Sequence, residues 1–369
     1  NVYTGGSISS SGSISVYNST VSGSLTLNGG NSDNGIGGFA GEIVVSTSTV
    51  GSIVSVGGYG TWNYGGRTGT TTLRNSHIGD ISFSGGYGIS LGGGVDMVSI
   101  DKSTVGDITL TSGSGDSSGD IVGLNIINGS DIGLISVSSG SVEYAHAGQI
   151  GSININNSVI NGLNSSMGQT CDIAYGMDLV EIKNSTSTGD IALSGSLGFC
   201  FSGGTSGNLK ISTSTVLGGI SSEGGDGSNG NGGNTGTIEI TNSTITDTII
   251  STAGYSGQAF GASVGSITIT NSSILSISAV STGNCSSSDQ PGVVGDITIN
   301  NPTGPITSIV AKGGDSCVLD DYSGGASTPG LRRLRSLGSG SGSLWQGLVS
   351  CHSTSESQIR GMDCAEQMK

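Results

Sequence analysis

The chain has few aromatic residues, little charge and almost no proline. Phe, Trp and Tyr make up 4% of its 369 residues, charged residues 10%, and Pro occurs 4 times. Globular domains usually carry about a quarter of their residues as charge, so an ordinary packed domain is not the expectation. Scarce proline, without a Gly-X-Y period, excludes collagen and polyproline designs. No apolar run approaches the roughly 18 residues that a membrane-spanning helix requires. Lys and Arg number 11 against 26 Asp and Glu, a net charge of −15. That shortage of cations speaks against nucleic acid and anionic membrane as partners, because clustered Lys and Arg hold both.

What is present is Gly, 70 residues of it, with abundant Ser, Thr and Asn. Disorder would suit such a composition, yet mean hydropathy is slightly positive and Ile and Val recur at regular intervals. A motif of the form aliphatic-x-aliphatic-x-Asn-Ser-x-aliphatic repeats eleven times at spacings of 27 to 30 residues. Examples are ISVYNSTV (14–21), VSIDKSTV (98–105), NIINGSDI (125–132), ININNSVI (153–160), IEITNSTI (238–245) and ITINNPTG (297–304). Its third position is aliphatic in every copy: Val16, Val45, Leu73, Ile100, Ile127, Ile155, Ile182, Ile211, Ile240, Ile269 and Ile299.

Alternation with a period of two places positions one and three on one face of a strand and two and four on the other. The outward set includes Arg74, Asp101, Glu181, Lys183, Lys210 and Glu239, which suits solvent. The Asn-Ser step turns the chain, and a second short strand follows, as in GDISF (79–83) and GDIAL (189–193). A third, looser, Gly-rich segment of variable length completes each unit. A unit of this size cannot bury its apolar face alone, whereas stacked units can. The expectation is an all-β parallel β-solenoid of about eleven rungs over residues 1–324, followed by a basic, disulfide-containing tail or cap over 325–369.

Six cysteines show no CxxC or Cys/His metal spacing. Cys171 lies 11 residues beyond its motif and Cys200 lies 13 beyond the next; Cys285 and Cys317 repeat this relation. Residues stacked on successive rungs are close enough for a disulfide. The phase predicts Cys171–Cys200 and Cys285–Cys317, leaving Cys351–Cys364 to close a small loop in the tail. Disulfides, and a chain that starts at Asn1 rather than Met, read as a processed, extracellular or cell-surface protein.

The body to residue 324 holds 6 basic and 23 acidic residues, about −17, while the tail holds 5 and 3, about +2. Arg332, Arg333, Arg335 and Trp345 are therefore expected to dock on an acidic rod, the chain's own or a neighbour's. The N-terminal segment offers no amphipathic helix and no charged or Pro-rich plug. Open solenoid ends invite association, and a head-to-tail contact that does not close builds a fibre.

Asp80, Asp107, Asp190 and Asp296 read as occupying one place in different rungs, either to share Ca²⁺ or, the favoured reading, to cap turns through backbone N–H groups. The Ca²⁺-binding nonapeptide of β-rolls is absent, and no cofactor is expected. Stacked Asn and Ser side chains are expected to hydrogen-bond along the rod, which explains the serines without catalysis. Eight N-x-S/T sequons, at Asn18, Asn128, Asn156, Asn164, Asn184, Asn242, Asn271 and Asn284, are glycosylation candidates, although composition alone produces many. The three His residues share no catalytic spacing with Cys or Ser.

Units such as ITITNSSI (267–274), with intervening tracts such as NGNGGN (229–234), resemble the right-handed parallel β-helix repeats of secreted surface proteins. The passenger regions of autotransporters and filamentous-haemagglutinin-like adhesins are similar over about residues 5–320. The resemblance implies export, an elongated shape and a structural or adhesive role. The leading expectation is a structural, non-enzymatic protein that self-associates into a filament, sheath or surface appendage. The alternative is an adhesin or carbohydrate-binding β-helix, for which Tyr59, Trp62 and Tyr64 form one local aromatic cluster. Ice binding is disfavoured because charged and bulky groups interrupt the outward rows. A polysaccharide-degrading enzyme is disfavoured because the body holds only 6 basic residues.

Overall fold

A computed structural model describes residues 10–33, 35–142, 145–172, 174–256, 261–282 and 292–313, with the backbone of strands at 334–337 and 348–351. Among the described residues there is no helix. The protein is a parallel β-solenoid with turns of about 28 residues and two long parallel sheets. One sheet has 12 strands, from Ile14–Tyr17 to Leu334–Leu337, and the other has 16, from Thr20–Asn28 to Leu348–Cys351. The second sheet counts more strands because several rungs split their second strand, as Thr104–Val105 and Ile108–Thr111 do.

Each strand pairs in register with its equivalent one rung away. In the first sheet Val16, Val45, Leu73, Ile100, Ile126, Ile155, Ile182, Ile211, Ile240, Ile269 and Ile299 form one column. From Val45 to Ile299 all are buried, and Val16, on the first described rung, packs partly exposed against the same core. In the second sheet Leu25, Ile53, Ile81, Ile108, Ile135, Leu163, Ile191, Ile220, Ile249, Ile277 and Ile309 stack likewise. Burying each such side chain contributes about 1.5–3 kcal/mol, and the solenoid gathers that gain rung by rung because a single turn has no interior.

The fifth rung departs from the sequence reading. Ile126, not Ile127, occupies the inward column, between Ile100 and Ile155. Ile127 pairs with Asp101 and Asn156 and is half-buried on the outer face. The cause is one inserted residue, Gly129, at the turn, whose φ of +83° is a conformation that glycine alone adopts without strain. Aligning the motif on Ser130 shifts the strand by one residue, which exchanges its two faces. The outward pair is accordingly Asn125 and Ile127.

Past residue 324 the ladders continue. Leu334–Leu337 pairs with Ile297–Asn300, and Leu348–Cys351 with Ser308–Lys312. Segments assigned by sequence to a tail thus supply backbone partners to both sheets. Arg335 pairs through its backbone with Thr298; Arg332, Arg333 and Trp345 lie outside the described residues.

Candidate functional site

The corner between the sheets is built on one backbone conformation. Asn18, Thr47, Asn75, Lys102, Asn128, Asn157, Asn184, Thr213, Asn242, Asn271 and Asn301 all have φ between 46° and 60°. Asn tolerates this left-handed region better than other residues with a side chain, which accounts for its prevalence. The Asn side chains at this corner are exposed at 18, 75, 128, 157, 184, 242, 271 and 301. Their recurring contribution is the turn, not the stacked side-chain bonding expected from the sequence.

The following Ser makes the axial bonds. Ser19, Ser48, Ser76 and Ser103 each donate their backbone N–H to the Oγ of the equivalent Ser one rung on, at 3.1–3.3 Å. The same bond recurs from Ser158, Ser185, Ser214 and Ser243 at 3.0–3.1 Å, ending at Ser272, after which Pro302 takes the position. Each accepting hydroxyl in turn donates to the carbonyl two residues earlier, as Ser214 Oγ does to Ser212 at 2.7 Å, except Ser130, which reaches three residues back to Ile127 at 2.8 Å. A small side chain therefore satisfies an N–H that the tight turn would otherwise leave unpaired, and adds a second bond to a carbonyl that already accepts a backbone N–H, as Ser212 does from Asn184 at 3.0 Å.

Asp and Asn residues cap other turns in the same axial sense. Asp80 Oδ1 accepts the N–H of Asp107 at 3.0 Å, Asp107 Oδ1 that of Leu134 at 2.8 Å, and Asp190 Oδ1 that of Gly219 at 2.8 Å. Asp296 does not share that position: it precedes a strand of the first sheet, where its carbonyl accepts from Ile267. Among the described residues no cluster of three or more His, Cys, Asp or Glu is arranged to hold a metal ion.

The Gly-rich segment is held by main-chain bonds, contrary to its reading as the looser part of the unit. Two columns of small residues face each other across the rod. Gly38 donates to Gly30, Gly58 to Gly38, Gly66 to Gly58, Gly86 to Gly66, Gly93 to Gly86 and Gly113 to Gly93, all at 2.7–2.8 Å. Farther along, Gly204, Gly225, Gly233 and Gly254 continue the zigzag from Ser196 at 2.7–2.9 Å. In the middle rungs Ser hydroxyls take over, with Gly140 donating to Ser112 Oγ and Gly168 to Ser139 Oγ, both at 2.8 Å. The backbones approach so closely that a Cβ at Gly66, Gly86 or Gly113 would overlap a carbonyl of the previous rung. This neck separates the aliphatic core from a lobe that bulges on one edge. Variation in segment length is confined to the lobe: 7 residues separate Gly58 from Gly66, but 5 separate Gly113 from Gly119.

The lobes carry most of the exposed aromatic side chains, including Tyr59, Trp62, Tyr64, Tyr87, Phe199, Phe201 and Tyr255. Tyr59 and Tyr87 stack with centroids 5.1 Å apart and planes inclined by 13°. Each ring therefore covers one face of the other. The disulfide Cys171–Cys200 joins lobes of successive rungs, with Cα atoms 4.6 Å apart, and Phe199 and Phe201 flank it. Cys285, Cys317 and Cys364 lie outside the described residues, and Cys351 is described only as backbone at the end of its strand.

Of the sequons, Asn18, Asn128, Asn184, Asn242 and Asn271 share the exposed left-handed corner. Asn128 is engaged there, donating its Nδ2 to Asp101 Oδ1 at 2.9 Å. Asn156 is half-buried on the first sheet, Asn164 is exposed on the second, and Asn284 lies outside the described residues.

No family model, curated protein or solved structure matches the chain.

Proposed function

We propose that the protein is an extracellular, non-enzymatic structural rod whose copies join end to end into a filament, sheath or surface appendage. One observation carries this reading: among the described residues the same kinds of contact recur from rung to rung. Aliphatic stacks on aliphatic, Ser N–H meets Ser Oγ, and strands pair in register from rung to rung. A rung from a second copy can make the same contacts as the next rung of the same chain, and a heterologous contact of this kind propagates. On the first described rung Ile14, Val16, Val21 and Leu25 are partly buried and pack against the core. The Cys171–Cys200 bond suits an oxidising compartment.

The test is sedimentation together with electron microscopy of the mature chain over a range of concentration and salt. Fibres built from rods joined at their ends are expected, with Val16→Lys and Leu25→Lys together suppressing them. A monomer under every condition contradicts the reading. A second reading, a surface adhesin that binds carbohydrate, draws support from the exposed aromatics gathered on the lobes.

A further inference from the structure

Along the outer face of the second sheet, beside the neck, Ser84, Thr111, Ser138, Ser166 and Ser194 stack in register as an unbroken row of hydroxyls. Val56 precedes the row and Glu223 follows it. Five rungs at about 4.8 Å make a stripe roughly 20 Å long. Thr111 Oγ1 and Ser138 Oγ lie 3.2 Å apart within it.

Across the neck runs a second row, formed by the first residue of each lobe: Ser114, Ser141 and Gln169, bounded by Leu197. Thr111, Ser138 and Ser166 of the first row and the residues of the second line a shallow, open axial groove of about 430 Å³, floored by Gly140 and Gly168. None of the residues lining it is charged, in a chain with 26 acidic residues.

We propose that this groove binds a neutral polysaccharide chain lying along the rod axis. Hydroxyl and amide groups both donate and accept, so they match a ligand whose own hydroxyls recur along a line. An ionic ligand finds no counter-charge among the lining residues. A peptide adding as a strand finds no free edge on the floor, because the N–H groups of Gly140 and Gly168 are already taken by Ser112 and Ser139. The stacked rungs fix both rows, so little ordering is required on binding.

Affinity electrophoresis of the full native chain tests this, through gels holding hydroxyethylcellulose, mixed-linkage β-glucan or galactomannan, with polygalacturonate as the anionic counterpart. Monomeric fractions are used, so that the result stands apart from end-to-end assembly. Retardation is expected in at least one neutral gel. Gln169→Glu with Ser141→Glu places two charges on the groove wall and should weaken binding roughly tenfold or more, as desolvated groups without partners do. The same charges placed on the first sheet, at Thr72 and Thr268, should leave retardation intact. Melting curves of both double variants show that each is folded; should the groove pair fail to fold, Gln169→Ala takes its place. Absence of retardation in every neutral gel overturns the proposal. So does retardation indifferent to the groove charges, or retardation in polygalacturonate alone.

Discussion

The backbone N–H of Ser48 donates to the hydroxyl of Ser76, 28 residues later, at 3.2 Å. That hydroxyl donates to the carbonyl of Arg74 at 2.7 Å, so one side chain joins two turns of the coil. Removing it leaves the Ser48 N–H unpaired, while the Arg74 carbonyl keeps its bond from the Thr47 N–H at 2.9 Å. Ser76→Ala should therefore lower stability by about 1–3 kcal/mol, the cost of one buried unpaired donor. Ser272, the last hydroxyl of the run, accepts from Ser243 in the same way and should show a similar loss. Chemical denaturation of single variants measures both.

The glycine neck predicts a sharper contrast. Gly86→Val drives a Cβ into the carbonyl of Gly58, a backbone atom that cannot swing aside, and should abolish cooperative folding. Gly23→Ala has nothing within 4 Å of the added carbon and should change stability little. Thermal unfolding followed by far-UV circular dichroism compares them.

The fifth rung supplies a test of phase. Ile126→Ala opens a cavity in the core column and should cost about 2–5 kcal/mol. Ile127→Ala trims a half-buried outer side chain and should cost well under half as much. Equal losses would restore the alignment read from the sequence.

Ser55 and the disulfide act in opposite directions. Ser55 is 1% exposed and its Oγ has no hydrogen-bond partner, so Ser55→Ala should raise stability by about 1 kcal/mol by removing an unsatisfied hydroxyl. The Cys171–Cys200 link spans 29 residues. Reducing it should lower stability by roughly 3–4 kcal/mol in the chain-entropy picture. Calorimetry with and without reductant reads the second effect, and peptide mapping should recover the two cysteines in one linked fragment.

The sheets were legible in the sequence because a period of two, locked to a 27–30-residue repeat, leaves a column such as Ile240, Ile269 and Ile299 no other placement. The fifth rung was misread because Leu124, Ile126 and Ile127 offer aliphatic side chains in both phases, and Gly129 displaces the serine used for alignment. The alternation of Leu124 with Ile126 was the signal that would have corrected it. Asp296 was misplaced because GD followed by Ile precedes strands of either sheet. The neck was not legible through side-chain pattern, since glycines carry none, and its partners are carbonyls on neighbouring turns. The paired glycines Gly57–Gly58 and Gly85–Gly86, and likewise Gly65–Gly66 and Gly92–Gly93, each recurring a repeat apart, were its trace. The hydroxyl groove escaped notice because its two rows come from different parts of the unit.

The stacking itself is tested most directly by electron–electron distances between spin labels attached through keto side chains, which leave the cysteines untouched. Thr49, Val159 and Thr244 belong to one exposed column of the second sheet. At about 4.8 Å per rung, Thr49 and Val159, four rungs apart, should be separated by roughly 19 Å, and Thr49 and Thr244, seven apart, by roughly 34 Å. Narrow distributions whose means rise linearly with rung number are the predicted result. Broad distributions, or means that do not grow with rung count, would contradict it.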